Sequence, residues 1–342
     1  MKLLILTQGI DLDDPVLSAY HSWILSIARR ADKATVMCLK KGRNTFPKDI
    51  EVISLGKESN PSRFSYIKKL FQYAWFFRDE YDVVFVHMNQ EYILLAGGLW
   101  RLLGKPIYFW RNHYAGSLLT NVAVALSTKV FYTSRQSYTA RFSKSVRMPV
   151  GVDMQRHSAV SGLQRKENSI LSLGRISPSK NIHVLIEALG ILHKKGVAYT
   201  ADIYGVTTAS DTHYLRGLRE RVAELGIRDS VQFCGGVANE ETPEIYGEHD
   251  IFVNMSPQGM FDKTILEAAA CDCLVVTANK DAIEYLGEKL AFKDLDPQSV
   301  ADALQTALSV GEEKEVVLVR QREFVQRNSS HSLAQRLYAE MA

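Results

Sequence analysis

The sequence lacks any run approaching the ~18 consecutive apolar residues of a membrane-crossing helix, although 46% of its residues are hydrophobic. That excludes a spanning helix and points to buried cores. Cysteine is scarce: Cys38, Cys234, Cys271 and Cys273 are the four present, and the last two flank Asp272 at a separation that no zinc knuckle uses. Neither a disulfide nor a zinc site is expected, and a reducing compartment is. The glycine fingerprint of a dinucleotide site is missing after the first apolar segment, where Thr7-Gln-Gly-Ile-Asp-Leu-Asp-Asp14 stands instead. This disfavours a dinucleotide oxidoreductase. No nucleic-acid-binding motif, short repeat or low-complexity segment is present. Met1-Lys-Leu-Leu-Ile-Leu6 is too short for the apolar region of a secretory signal and reads as a buried strand, so a cytoplasmic protein is expected.

What is present is a regular alternation of strand-length apolar runs with segments of helical spacing. At 342 residues the chain exceeds what one core usually serves, and 23% charged residues are ordinary for a globular enzyme. Strands are expected at Leu3–Leu6, Ala34–Leu39, Val52–Leu55, Val83–His87, Ile107–Trp110 and Val130–Thr133. Helices are expected near Ser18–Arg30, Ser62–Arg78, Tyr92–Leu103 and Leu118–Leu126. The pattern describes an α/β, Rossmann-like domain with a parallel sheet, and it repeats from Ser169 to about Val310. Ligands of such sheets bind beyond the carboxyl ends of the strands, so the active site is expected in the cleft between two domains.

Two junctions in the second half carry chemistry. Ser169 to Gly174 has strand length, Gly174 allows a tight exit, and Ile182 to Leu192 has helical spacing. Arg175 and Lys180 therefore stand in a strand-to-helix loop. An anion there would meet a guanidinium fork, an ammonium and the positive end of a helix, which suits a pyrophosphate. Solvated loop charges are the other reading. After the strand Ile251–Asn254 and the turn Ser256-Pro-Gln-Gly-Met260, a helix should start near Thr264, with Glu267 in its first turns. A carboxylate there can accept from both hydroxyls of a ribose while the amides around Lys263 and Thr264 face a phosphate. A structural Glu in an Ala-rich helix is the alternative.

Gly174-Arg175 with Lys180-Asn181, Ile203-Tyr-Gly205, Val231-Gln-Phe-Cys-Gly235, Tyr246 to Ser256 and Leu266-Glu-Ala268 followed by Leu274-Val-Val276 together resemble the family 4 (group 1) retaining glycosyltransferases. The resemblance covers the C-terminal half in order and is weaker before it. It implies the GT-B fold: two Rossmann-like domains with parallel sheets facing across a cleft. Met148-Pro-Val-Gly-Val-Asp153 looks like the family's interdomain crossover, which gives residues 1–152 to acceptor binding, 153–325 to the nucleotide sugar, and 326–342 to a helix returning to the first domain. Gly174, Gly205, Asp262, Lys263, Thr264 and Glu267 are then donor-binding and Arg175 and Lys180 catalytic. The resemblance also places His113 of Tyr108-Phe-Trp-Arg-Asn-His-Tyr114 against the donor sugar, although a structural histidine is the alternative. His87, at the preceding strand end, joins Asp13 and Asp14 on the acceptor side. One departure stands out. Such enzymes usually carry two Glu separated by seven residues, and the position eight before Glu267 is Gly259. Asp262 is expected to accept from sugar hydroxyls in compensation, and Lys263 to approach the diphosphate. Asp11-Leu-Asp13 formally matches a metal motif of another glycosyltransferase fold but reads as loop, so no metal or other cofactor is expected.

Charge divides unevenly. Residues 1–150 hold 21 Lys and Arg against 11 Asp and Glu, or +10; subtraction from 41 and 38 leaves 20 against 27, or −7, for the rest. A basic first domain suits an anionic partner. Within Arg63–Arg78, Phe64, Ile67, Leu70, Phe71, Ala74 and Phe77 are expected to face the core, leaving Tyr66, Tyr73 and Trp75 for an interfacial belt. A buried crossover helix and contact with an anionic membrane both fit. The expectation is a metal-independent retaining enzyme that moves sugar from a nucleotide-diphosphate donor to a glycan or lipid-linked acceptor in cell-surface polysaccharide synthesis, peripheral on the inner membrane face. A sugar-nucleotide-binding scaffold and a GT-B-fold sugar-nucleotide epimerase are the alternatives.

Overall fold

The computed structural model describes residues 1–14, 17–59, 62–158, 162–256, 258 and 261–342. The chain forms two units, Met1–Gly151 with Ser330–Ala342, and Val152–Ser329.

The first unit is built on β1 (Lys2–Ile10), β2 (Lys33–Lys41), β3 (Glu51–Ser54), β4 (Val83–His87), β5 (Ile107–Trp110), β6 (Lys129–Tyr132) and β7 (Ser145–Arg147). All pair in parallel, in the order β3-β2-β1-β4-β5-β6-β7. The central strands are buried on both faces, so their residues alternate between two apolar layers rather than between core and water. Leu3 and Ile5 of β1 join Trp23, Ile24 and Ile27 of α1 (Ala19–Ala28) in one layer. Leu4 and Leu6 join Leu70 and Ala74 of α2 (Arg63–Phe76), Ile93, Ala96 and Trp100 of α3 (Glu91–Leu102), and Ala123 and Val124 of α4 (Leu118–Leu126) in the other. Helix starts follow local chemistry. The Ser62 hydroxyl accepts from Ser65 N ahead of α2, and Ser117 with Thr120 forms a reciprocal capping box ahead of α4.

The inward face of α2 differs from expectation. Phe77 packs on the core with Leu70 and Ala74 as expected, but Tyr66 and Tyr73 join them, whereas Phe64 and Phe71 are exposed. Apolar side chains occur all round this helix, so hydrophobic periodicity leaves its rotation undetermined. A tyrosine can cover the core edge with its ring and keep its hydroxyl wet.

The second unit is built on β8 (Lys166–Leu173), β9 (Thr200–Tyr204), β10 (Val231–Gly235), β11 (His249–Asn254) and β12 (Leu274–Thr277), parallel in the order β10-β9-β8-β11-β12. Around it lie α5 (Ile182–Lys194), α6 (Thr212–Glu224), α7 (Thr242–Gly247), α8 (Lys263–Ala270), α9 (Lys280–Leu286), α10 (Pro297–Leu308) and α11 (Lys314–Arg327). The last helix, α12 (Ser330–Met341), belongs to the first unit, where Leu333, Leu337 and Met341 enter the layer that holds Trp23. Tyr108 and Tyr338 hydroxyls fix it through Met341 O at 3.1 Å and Ile27 O at 2.9 Å. No helix among the described residues is long and apolar enough to cross a membrane.

Candidate functional site

The second sheet changes direction of growth at β8, with β9 on one side and β11 on the other. The carboxyl ends of such a strand pair flank the crevice where open α/β sheets take ligands. The loop leaving β8 there begins at Gly174, at φ +152°, beside Gly205, at φ +156°. A Cβ on Gly205 would stand 1.9 Å from the Gly174 carbonyl oxygen, so only glycine lets the two strand exits pass. Gly174 N donates to Tyr204 O and Ile176 N to Val206 O, each at 3.0 Å. Arg175 is thus held between two anchored neighbours. Its side chain is exposed, and no described residue pairs with its guanidinium.

Lys180 is differently placed. It closes a short 3₁₀ turn, Pro178–Lys180, and Asn181 follows in the left-handed region at φ +52° to start α5. Asn181 Nδ2 reaches Met255 O at 2.9 Å, which ties this loop to the one leaving β11. Lys180 Nζ donates to Asp262 Oδ2 at 2.6 Å and to Ser256 Oγ at 2.8 Å. Asp262 is the N-cap of α8: its Oδ1 accepts from Thr264 N at 3.3 Å and Thr264 Oγ1 at 2.8 Å, and its Oδ2 accepts again from Ser256 Oγ at 2.5 Å. Burial opposes ionisation of this carboxyl, yet the Lys180 charge and the Lys180, Ser256 and Thr264 hydrogen bonds hold its pKa well below the ordinary carboxylate value.

This corrects two expectations. The Asp262 carboxylate is engaged by four donors of its own chain, about as many as its lone pairs accept, rather than left for sugar hydroxyls. The Thr264 amide, expected to face a phosphate, is capped by Asp262. Lys263 is half-buried; burial brings its ammonium pKa down to about 8, with the Glu267 charge acting the other way. Glu267 accepts from the hydroxyl of buried Tyr246 at 3.3 Å. Gly259 lies outside the described residues.

In the first unit, His113 follows β5. Its Nδ1 lies 3.0 Å from Ala115 N and 3.2 Å from Ala115 O, and the ring stacks on Tyr114 at 4.5 Å. The other acceptor-side residues are already engaged. His87 ends β4 as expected but is a core residue at 2% exposure, bonded to Thr7 Oγ1 at 3.0 Å between the Tyr20 and Trp23 rings, and is not open to a ligand. Asp13 is gripped by Arg43 at 2.7 Å, Asp11 lies 3.1 Å from Lys40, and Asp14 accepts from Leu17 N at 2.9 Å. Sequence reasoning gave no site role to Ser256, which bridges Lys180 and Asp262, or to Tyr246, which meets Glu267. A hydroxyl two residues after a buried strand was the available signal for the first; nothing local marks the second.

Residues 153–321 match the family model described as glycosyl transferases group 1. The chain is 35% identical over 115 residues to the alpha-monoglucosyldiacylglycerol synthase of Streptococcus pneumoniae, covering 34% of this chain and 25% of that protein. It is 32% identical over 135 residues to the mannosylfructose-phosphate synthase of Agrobacterium fabrum, covering 36% and 30%. These matches span less than a third of the relatives' own length. A crystal structure of Anabaena HepE in complex with UDP superposes with a TM-score of 0.80 over 100% of this chain and 99% of that one, at 20% identity. That likeness is one of fold.

Proposed function

We propose, for a chain whose residues 153–321 match the group 1 glycosyl transferases and whose two α/β units have the GT-B fold, that it transfers a glycosyl group from a nucleotide-diphosphate sugar to an acceptor hydroxyl. The observation that carries this reading is the convergence of Arg175, Lys180 and the start of α8 at the direction change of the second sheet. Arg175 and Lys180 neutralise charge gathering on the leaving diphosphate, and Glu267 accepts from the ribose hydroxyls. For His113, a role toward the donor sugar rests on the family resemblance alone. The acceptor oxygen bonds to the anomeric carbon on the face from which the diphosphate departs, and configuration is retained as in family 4 enzymes. No metal takes part; support comes from Asp11 and Asp13, whose carboxylates are closed by Lys40 and Arg43.

The first unit takes a glycan or lipid-linked acceptor in surface polysaccharide synthesis, at the cytoplasmic face of an anionic membrane. Two features support that seat. Residues 1–150 carry +10, and the outer faces of α2, α3 and α4 expose Phe64 (74%), Phe76 (71%), Leu102 (88%) and Leu118 (78%) beside Arg63, Lys68 and Arg101. Apolar side chains among cations suit a lipid headgroup layer.

Thermal unfolding with UDP, GDP, their sugar conjugates and NAD tests the donor class. A diphosphate at a hundred times its dissociation constant should stabilise by ~2.7 kcal/mol. Stabilisation by NAD alone, or by none of these, would remove the reading. Binding without transfer would favour a donor-binding scaffold, for which Gly259 in place of the usual Glu is the supporting residue.

A further inference from the structure

Lys180, assigned above to the donor diphosphate, already has an anion at 2.6 Å. The arrangement around that anion is informative. Asp262 receives an ammonium hydrogen bond from Lys180, a hydroxyl hydrogen bond from Ser256, and a backbone amide hydrogen bond from Thr264 at the start of α8. Ammonium, hydroxyl and helix N-terminal amide are the donors with which proteins hold a phosphate group. The carboxylate therefore occupies, in charge and hydrogen bonding, the place of a phosphate oxygen pair. It is tethered at the helix cap and cannot leave.

We propose that Asp262 is an internal counter-anion that Lys180 exchanges for the donor's diphosphate. The inference rests on the nucleotide-sugar reading. An entering diphosphate draws Lys180 and Ser256 away from Asp262, with Arg175 joining from the start of the loop that carries Lys180. After transfer, Asp262 takes both donors back as the nucleoside diphosphate departs. Two costs then weigh on the bound product: the loss of the Lys180–Asp262 pair and the repulsion between carboxylate and diphosphate. Lys263 and Glu267 are the other charged side chains on α8, and they are of opposite sign. Tight product binding would slow turnover. The built-in anion limits it.

The test is Asp262→Asn, which keeps a side-chain oxygen that can cap α8 and removes the charge. Titration calorimetry with UDP, GDP and inorganic pyrophosphate should show at least tenfold tighter binding than wild type for whichever of them wild type binds. Steady-state kinetics should show a lower kcat and a matching fall in the inhibition constant of the product nucleotide. Asp262→Ser, also a competent cap, repeats the measurement if the first variant folds poorly. Unchanged affinity would make Asp262 only a helix cap, and weaker affinity would make it only a support for Lys180; either overturns the exchange. If wild type and variants bind none of the three anions, the nucleotide-sugar reading falls and the exchange with it. Wild-type binding without a gain in either variant overturns the exchange alone.

Discussion

Lys263 opens α8 as a half-buried ammonium whose pKa is brought to about 8, against 10.5 for an ordinary lysine. The folded state holds this proton less tightly than the unfolded chain does. The resulting destabilisation is fully present below about pH 8 and fades as pH rises toward 10.5. Lys263→Met should accordingly raise stability at pH 7 by up to about 3 kcal/mol, with the gap to wild type narrowing at pH 9 and above. Thermal scans across that range decide it, and a gap independent of pH would show that the charge is not its source. The same variant should bind diphosphates less tightly, since it removes a cation from the donor site. Arg175 is the opposite case, exposed and unpaired among the described residues. Arg175→Ala should leave the melting temperature unchanged and lower kcat/KM at least tenfold, or ~1.4 kcal/mol of transition-state stabilisation. Near-normal turnover would remove it from the site.

Gly205 acts on two loops at once, because it ends β9 against the carbonyl that starts the Arg175 loop. Gly205→Ala must push those strand exits apart, at a cost of about 2 to 4 kcal/mol. Chemical denaturation should show that loss, accompanied by weaker diphosphate binding; a wild-type midpoint would mean that the exits separate freely. At this scale the sequence is legible where apolar runs have clear ends. Val83–His87, Ile107–Trp110 and Leu118–Leu126 are read to the residue because charge, proline or serine bounds them. β7 escapes notice, since three residues carry no period. The rotation of α2 escapes for the opposite reason, an excess of apolar positions. In the candidate site, Arg175 and Lys180 are legible as two cations in one loop. That Lys180 meets Asp262 is not, because 82 residues separate them and no spacing rule reaches across a sheet.

The whole molecule is electrically lopsided, +10 over residues 1–150 and −7 over the remainder. If its basic unit seats on lipid through α2, α3 and α4, the protein should sediment with phosphatidylglycerol vesicles and not with phosphatidylcholine vesicles, and added salt should release it. Leu102→Glu combined with Leu118→Glu should stay in the supernatant at unchanged melting temperature. Equal partitioning of wild type onto both lipids would sink the proposal. The return of α12 to the first unit bears on how the chain is born. Translation finishes Gly151 early, yet Leu333, Leu337 and Met341 complete the layer around Trp23 only about 190 residues later. At 5 to 20 residues per second that interval is roughly 10 to 40 s. For that time the nascent first unit presents an open apolar groove at the ribosome, the kind of surface a chaperone holds.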